Sequence, residues 1–201
     1  PQRFDSAIGS IWIGTTGDDR YDASALLILD PGGDDVYTDA AASANGLQGQ
    51  FISVVIDLGG DDQYKGIGLL GPGTALWGLS RILDHDGDDV YRAAYAGLGA
   101  AVFGAALLDD RDGDDVYRAQ GFAQGAAYGG MAMLRDVGGN DLYDVGFAGQ
   151  AYAGVKGLGF LWDGAGNDRY ISGGRRHDHD RHDNRYLSMA QGFAIGSRPF
   201  A

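Results

Sequence analysis

The residue with chemistry to offer in this chain is aspartate, and it recurs in one arrangement. Asp30-Pro31-Gly32-Gly33-Asp34-Asp35-Val36-Tyr37 returns as Asp57-Leu58-Gly59-Gly60-Asp61-Asp62-Gln63-Tyr64. It returns again as Asp84-His85-Asp86-Gly87-Asp88-Asp89-Val90-Tyr91 and as Asp110-Arg111-Asp112-Gly113-Asp114-Asp115-Val116-Tyr117. Two variants follow, Asp136-Val137-Gly138-Gly139-Asn140-Asp141-Leu142-Tyr143 and Asp163-Gly164-Ala165-Gly166-Asn167-Asp168-Arg169-Tyr170, and a partial copy, Gly17-Asp18-Asp19-Arg20-Tyr21, precedes them all. Each copy offers a leading Asp, an Asp or Asn after glycine, and an Asp two residues before Tyr. Asp86 and Asp112 add a further carboxylate in two copies. Carboxylates gathered with turn carbonyls are ligands for a hard divalent cation, and calcium takes about six to eight such oxygens.

The spacing fixes what must position these groups. The tyrosines fall at 37, 64, 91, 117, 143 and 170, in steps of 27, 27, 26, 26 and 27. An apolar run precedes each motif, such as 52–56 or 105–108, and a Gly/Ala-rich stretch follows each Tyr, such as 94–100 or 121–126. Strand-length apolar pieces punctuated by Gly and Asp predict short β-strands joined by tight turns. A steady period of this length predicts a repeat architecture. The expected fold is all-β, a right-handed parallel β-solenoid of about six coils, occupying residues 1–201 as one repeat domain. Stacked coils lie about 4.8 Å apart, so identical positions form ladders. A helical reading of Gly97-Leu98-Gly99-Ala100-Ala101-Val102-Phe103-Gly104, a β-propeller and an α/β repeat are the competing architectures. Glycines cost up to about 1 kcal/mol each inside a helix, which weighs against the first.

Composition agrees. The chain has 28 acidic against 15 basic residues, for a net charge of −13, and every acid is Asp. With 36 glycines among 201 residues, it has the makings of turns rather than helices. So acidic a chain repels nucleic-acid backbone and anionic membrane surfaces. Cysteine is absent, so a metal is the available staple. The longest apolar stretch, 97–108, has 12 residues, too few to span a bilayer. The repeat shows no evident capping unit, which predicts end-to-end self-association or a longer parent solenoid.

Gly164-Ala165-Gly166-Asn167-Asp168-Arg169-Tyr170 resembles the glycine- and aspartate-rich turn of RTX-type calcium-binding β-solenoids, and the other copies share its Gly-x-Asp-x-Tyr core. The resemblance covers about eight residues per coil. Here the turn comes once per coil rather than every nine residues, and Asp replaces the first glycine. It implies calcium ligation by Asp35, Asp62, Asp89, Asp115, Asp141 and Asp168, with the tyrosines facing inward. The stacking argument widens the ligand set to the leading Asp30, Asp57, Asp84, Asp110, Asp136 and Asp163, to Asp34, Asp61, Asp88, Asp114, Asn140 and Asn167, and to Asp86 and Asp112. Like charges about 5 Å apart repel. One Ca²⁺ in each of five intercoil gaps would add about +10, nearly cancelling the net charge. Arg20, Arg92, Arg111, Arg118 and Arg169 are too few and too irregular to neutralise such a ladder throughout.

One segment breaks the period. Residues 171–189 read as an inserted loop, because Ala190-Gln191-Gly192-Phe193-Ala194-Ile195-Gly196 resumes the pattern of Ala119-Gln120-Gly121-Phe122-Ala123-Gln124-Gly125. His177, His179 and His182 make it a candidate second metal or binding loop, of a kind suited to Zn, Ni or Cu. Gln48, Gln50, Gln120, Gln124, Gln150 and Gln191 suggest an amide ladder. The function this predicts is a calcium-stabilised structural or adhesive module at the cell surface or beyond, with a carbohydrate or surface partner. Millimolar calcium there would fill weak sites. The alternative is a polysaccharide-active β-helix enzyme, a lyase or epimerase, using Ca²⁺ with Lys65, Arg169, Arg175 or the histidine loop as base.

Overall fold

The computed structural model describes residues 1–23, 25–38, 41–177 and 185–196. Each apolar run forms a strand in which inward and outward side chains alternate. In Ile52–Asp57, Ser53, Val55 and Asp57 are buried between outward Ile52, Val54 and Ile56. Leu27–Asp30, Ile52–Asp57, Leu79–Leu83, Ala105–Asp110, Met131–Asp136 and Leu158–Asp163 lie side by side in chain order as one parallel sheet. Gly9–Ile13 extends this sheet, and Gln2–Ser6 pairs with it antiparallel along the outer edge.

After each acidic turn the chain enters a second parallel sheet. Its strands are Arg20–Tyr21, Val36–Thr38, Gln63–Gly66, Val90–Gly97, Val116–Ala123, Leu142–Val145 and Arg169–Ser172. The Gly/Ala-rich stretches supply a third, narrower sheet of Ala44–Asn45, Thr74–Leu76, Ala100–Val102 and Ala127–Tyr128. The result is the expected all-β parallel solenoid of about six turns. Its segments become strands rather than helices because inward positions recur every second residue.

Register is held by what lies inside. Tyr21, Tyr37, Tyr64, Tyr91, Tyr117, Tyr143 and Tyr170 pair in succession along the second sheet. Their rings stack at centroid distances of 4.5 to 4.9 Å. Facing them is an aliphatic column, Ile28, Val55, Ile82, Leu108, Leu134 and Leu161, from the first sheet. A one-residue slip would turn either column to solvent. Where the third sheet closes on the first, Ala75, Ala101, Ala106, Ala127 and Ala132 fill a corner too narrow for larger groups.

The glutamines do not form a ladder of amides bonded to one another. Gln124 and Gln150 are buried, and their Nε2 atoms donate to the backbone oxygens of Tyr117 and Tyr143, at 2.9 and 3.1 Å. Residues 192–195 lie against the stack. Gly192 donates to the Gln150 carbonyl at 2.9 Å, Ala153 to that of Phe193 at 2.8 Å, and Ile195 to that of Ala153 at 2.8 Å.

The turns stack as tightly as the strands. Gly87 has φ +139°, and a Cβ there would lie 1.9 Å from the Gly60 oxygen. Gly87→Ala should therefore cost about 2–3 kcal/mol in a urea melt, from overpacking and an unfavourable φ. Gly17→Ala, with nothing within 4 Å of its Cβ, should leave the midpoint unchanged.

Candidate functional site

Strand parity sorts the acidic positions into three columns. The Asp two residues before Tyr shares its inward face. Asp35, Asp62, Asp89, Asp115 and Asp141 are accordingly buried beside their tyrosines. The leading Asp is the last inward position of the first sheet, and Asp30, Asp57, Asp84, Asp110 and Asp136 are buried too. Asp163 and Asp168, in the last described turn, are partly exposed. One residue out of phase, Asp34, Asp61, Asp88, Asp114, Asn140 and Asn167 line the exposed outside of the turn, as do Asp86 and Asp112.

The outer column ties coil to coil through main-chain donors. Asp34 Oδ1 accepts the Asp61 N–H at 3.1 Å, Asp61 that of Asp88 at 2.9 Å, Asp88 that of Asp114 at 2.8 Å, and Asp114 that of Asn140 at 2.8 Å. Asn140 Oδ1 accepts from Asn167 at 3.1 Å in the same way. The position needs only an acceptor oxygen, which is why Asn serves as well as Asp. In the inner column the sense reverses. Asp35 accepts the N–H of Asp19, Asp62 that of Asp35, Asp89 that of Asp62, Asp115 that of Asp89 and Asp141 that of Asp115, at 2.6 to 2.8 Å.

The leading column takes its donors from the tyrosines. Tyr64 donates to Asp84 Oδ2 at 2.7 Å, Tyr91 to Asp110 at 2.6 Å and Tyr117 to Asp136 at 2.9 Å, each reaching into the next coil. Tyr21 and Tyr37 bond Asp30 and Asp57 likewise. Sequence reasoning gave these tyrosines an apolar role and missed the hydroxyl. The signal was their invariable place in an acidic motif, since a buried phenol needs a hydrogen-bond partner.

After these bonds, Asp35 Oδ2, Asp62 Oδ2, Asp141 Oδ2, Asp84 Oδ1 and Asp110 Oδ1 stay buried without a partner. Their neighbours are other carboxyls. Asp30, Asp35 and Asp57 each place an oxygen within 4.8 Å of the other two, as do Asp57, Asp62 and Asp84. The same holds for Asp89, Asp110 and Asp115, for Asp115, Asp136 and Asp141, and for Asp141, Asp163 and Asp168. Every triad draws on two successive coils. Burial pushes Asp62 and Asp115 up to about 10, with the carboxyls of Asp57 and Asp110, respectively, adding to the rise. Burial likewise lifts Asp35 and Asp141 to about 8, Asp110 to about 7 and Asp89 to about 12.

The arginines do not relieve this. Among the described residues, Arg81, Arg111 and Arg135 pair with Asp109 on the outer face, at 3.8, 3.1 and 2.6 Å. Arg118 and Arg175 pair with Asp144. Of the candidate histidines, His177 stands 4.4 Å from Tyr186 between ring centroids, while His179 and His182 lie outside the described residues.

Fold and site together define an all-β parallel solenoid with an interior ladder of aspartate triads and tyrosine hydroxyls. No protein-family model matches the chain, and comparison with curated proteins and with solved structures found no match.

Two substitutions separate the columns. Tyr91→Phe strands buried carboxyl oxygens and should cost about 1–3 kcal/mol in chemical denaturation. Asp88→Asn keeps the acceptor and should change stability by less than about 0.5 kcal/mol.

Proposed function

We propose that the chain is a rigid structural module whose buried aspartate triads hold divalent cations, calcium foremost, between successive coils. The observation that supports this is the convergence of three carboxylates from two coils, five times over among the described residues, four of these triads being buried and the last partly exposed. The donors are all oxygen, the set preferred by hard cations such as calcium. An ion shared by two coils would fasten one to the next and remove the repulsion that stacking imposes. Sites of modest affinity would fill at extracellular calcium concentrations, so we place the module outside the cytosol, as a scaffold or adhesive element.

A second occupant is favoured by one feature. In a single coil, Asp35 and Asp30, Asp62 and Asp57, and Asp141 and Asp136 bring carboxyl oxygens within 4.8 Å of one another, so a shared proton could join each pair. Protons would neutralise the ladder without metal.

The two occupants give opposite pH behaviour. Carboxyl pKa values raised from an unfolded value of about 3.9 mean that the folded chain holds extra protons. Their stabilisation is complete below about pH 4 and is lost as pH rises through the folded values of about 7 to 12. Calcium needs the ionised form, so its stabilisation grows with pH. We expect the chelated protein to melt at progressively lower temperature between pH 5 and pH 9, with calcium raising the melt most at pH 9. Elemental analysis should find several calcium ions per chain. A metal-free protein whose melt ignores both calcium and chelator at pH 8 would leave protons as the ladder's sole occupant.

A further inference from the structure

A second feature lies on the outward face of the tyrosine-bearing sheet, where a cleft of about 1150 Å³ opens. Its lining carries Arg92, Arg118, Arg175 and Arg176 and no acidic side chain, in a chain whose acids outnumber its bases 28 to 15. The register sets Lys65, Arg92 and Arg118 side by side on consecutive strands. Like charges on neighbouring strands cost stability. The fold does not demand them, because the same column holds Thr38 and Asp144 in the flanking coils.

One carboxylate partly compensates. Asp144, buried behind the cleft, accepts from Arg118 at 3.3 Å and is also gripped by Arg175. Arg175 donates to the Ala119 carbonyl at 3.1 Å as well, which pins this part of the insertion to the sheet. Arg92 has no ion-pair partner among the described residues, and Arg176 lies over the Phe147 ring at 4.6 Å rather than against an acid. Tyr95, 41% exposed, stands beside Phe147 with its ring in the cleft lining.

We infer that this cleft binds an acidic oligosaccharide, with Arg92 and Arg118 receiving uronate carboxylates and Tyr95 supporting the apolar face of a sugar ring. Guanidinium groups match planar carboxylates in bidentate geometry. At about 1150 Å³ the open cleft has room for more than one sugar ring. The net charge of −13 opposes any long polyanion, nucleic acid and polyuronate alike, so the occupant is a short oligomer held by the local cluster of arginines. The inference stands on the arginines and the aromatic platform, independently of any ion in the aspartate ladder.

Calorimetric titration of the full chain, at one fixed calcium concentration, tests it with three probes: a galacturonate hexamer, a neutral galactose hexamer and sodium sulfate. We expect the uronate hexamer alone to bind, more weakly as salt is raised. Arg92→Ala and Arg118→Ala should each lose about tenfold or more in affinity. Arg92 lies on the exposed face without an ion-pair partner among the described residues, so the Arg92→Ala melting temperature should match the parent, which separates this result from the calcium-dependent melt. The inference is overturned by absence of uronate binding, by equal affinity for the neutral hexamer or for sulfate, or by affinity unchanged in both variants.

Discussion

Parallel, in-register stacking places every residue of one coil directly against its equivalent in the next. With tyrosine rings 4.5 to 4.9 Å apart, whatever is good or bad about one such contact is repeated along the whole axis. For the rings and the aliphatic column facing them, repetition is favourable, since each layer buries apolar surface against the last. For aspartate it is costly, and the rest of the molecule is organised around that cost.

The chain meets it in part with hydrogen bonds of opposite sense. Outer carboxylates accept main-chain N–H groups from the following coil, while inner carboxylates accept them from the preceding coil. Each turn is therefore gripped from both sides, and glycines at positive φ let the main chains approach closely enough for it. The hydroxyls of Tyr21, Tyr37, Tyr64, Tyr91 and Tyr117 add the third direction, running from the second sheet into the next turn, whereas Tyr143 and Tyr170 donate to Asp136 and Asp163 of their own coils. These donors satisfy both oxygens of Asp30, Asp57, Asp89, Asp115 and Asp136, but leave one oxygen each of Asp35, Asp62, Asp84, Asp110 and Asp141 facing its neighbours. The leftover oxygens are where a cation or a proton has most to gain, because repulsion between buried like charges is screened least.

Positive charge is spent elsewhere. Asp109 and Asp144, on the outer faces, gather five arginines between them, and the basic cleft sits against Asp144 rather than against the ladder. Acidic interior turns and a basic outer groove are thus separated across one sheet. Arg175 takes part as well, its guanidinium reaching back to the Ala119 carbonyl and to Asp144.

The repeat, its period, the strand–turn–strand order and the identity of the acidic positions were all legible in the linear chain. A residue type recurring every 26 or 27 positions has few architectures to occupy. Parity was legible too: Asp89 and Tyr91 are two apart and must share a face, whereas Asp88 must oppose them, and that distinction separates buried from exposed columns. What only the tertiary structure decided is which coil each oxygen serves. Whether Tyr91 bonds its own Asp84 or the next coil's Asp110 depends on the offset between two sheets. Likewise, Arg92, Tyr95, Arg118 and Arg176 meet in one cleft because separate coils and residues 175–177 line the same face. Sequence spacing carries direction within a strand, but distance between strands belongs to packing.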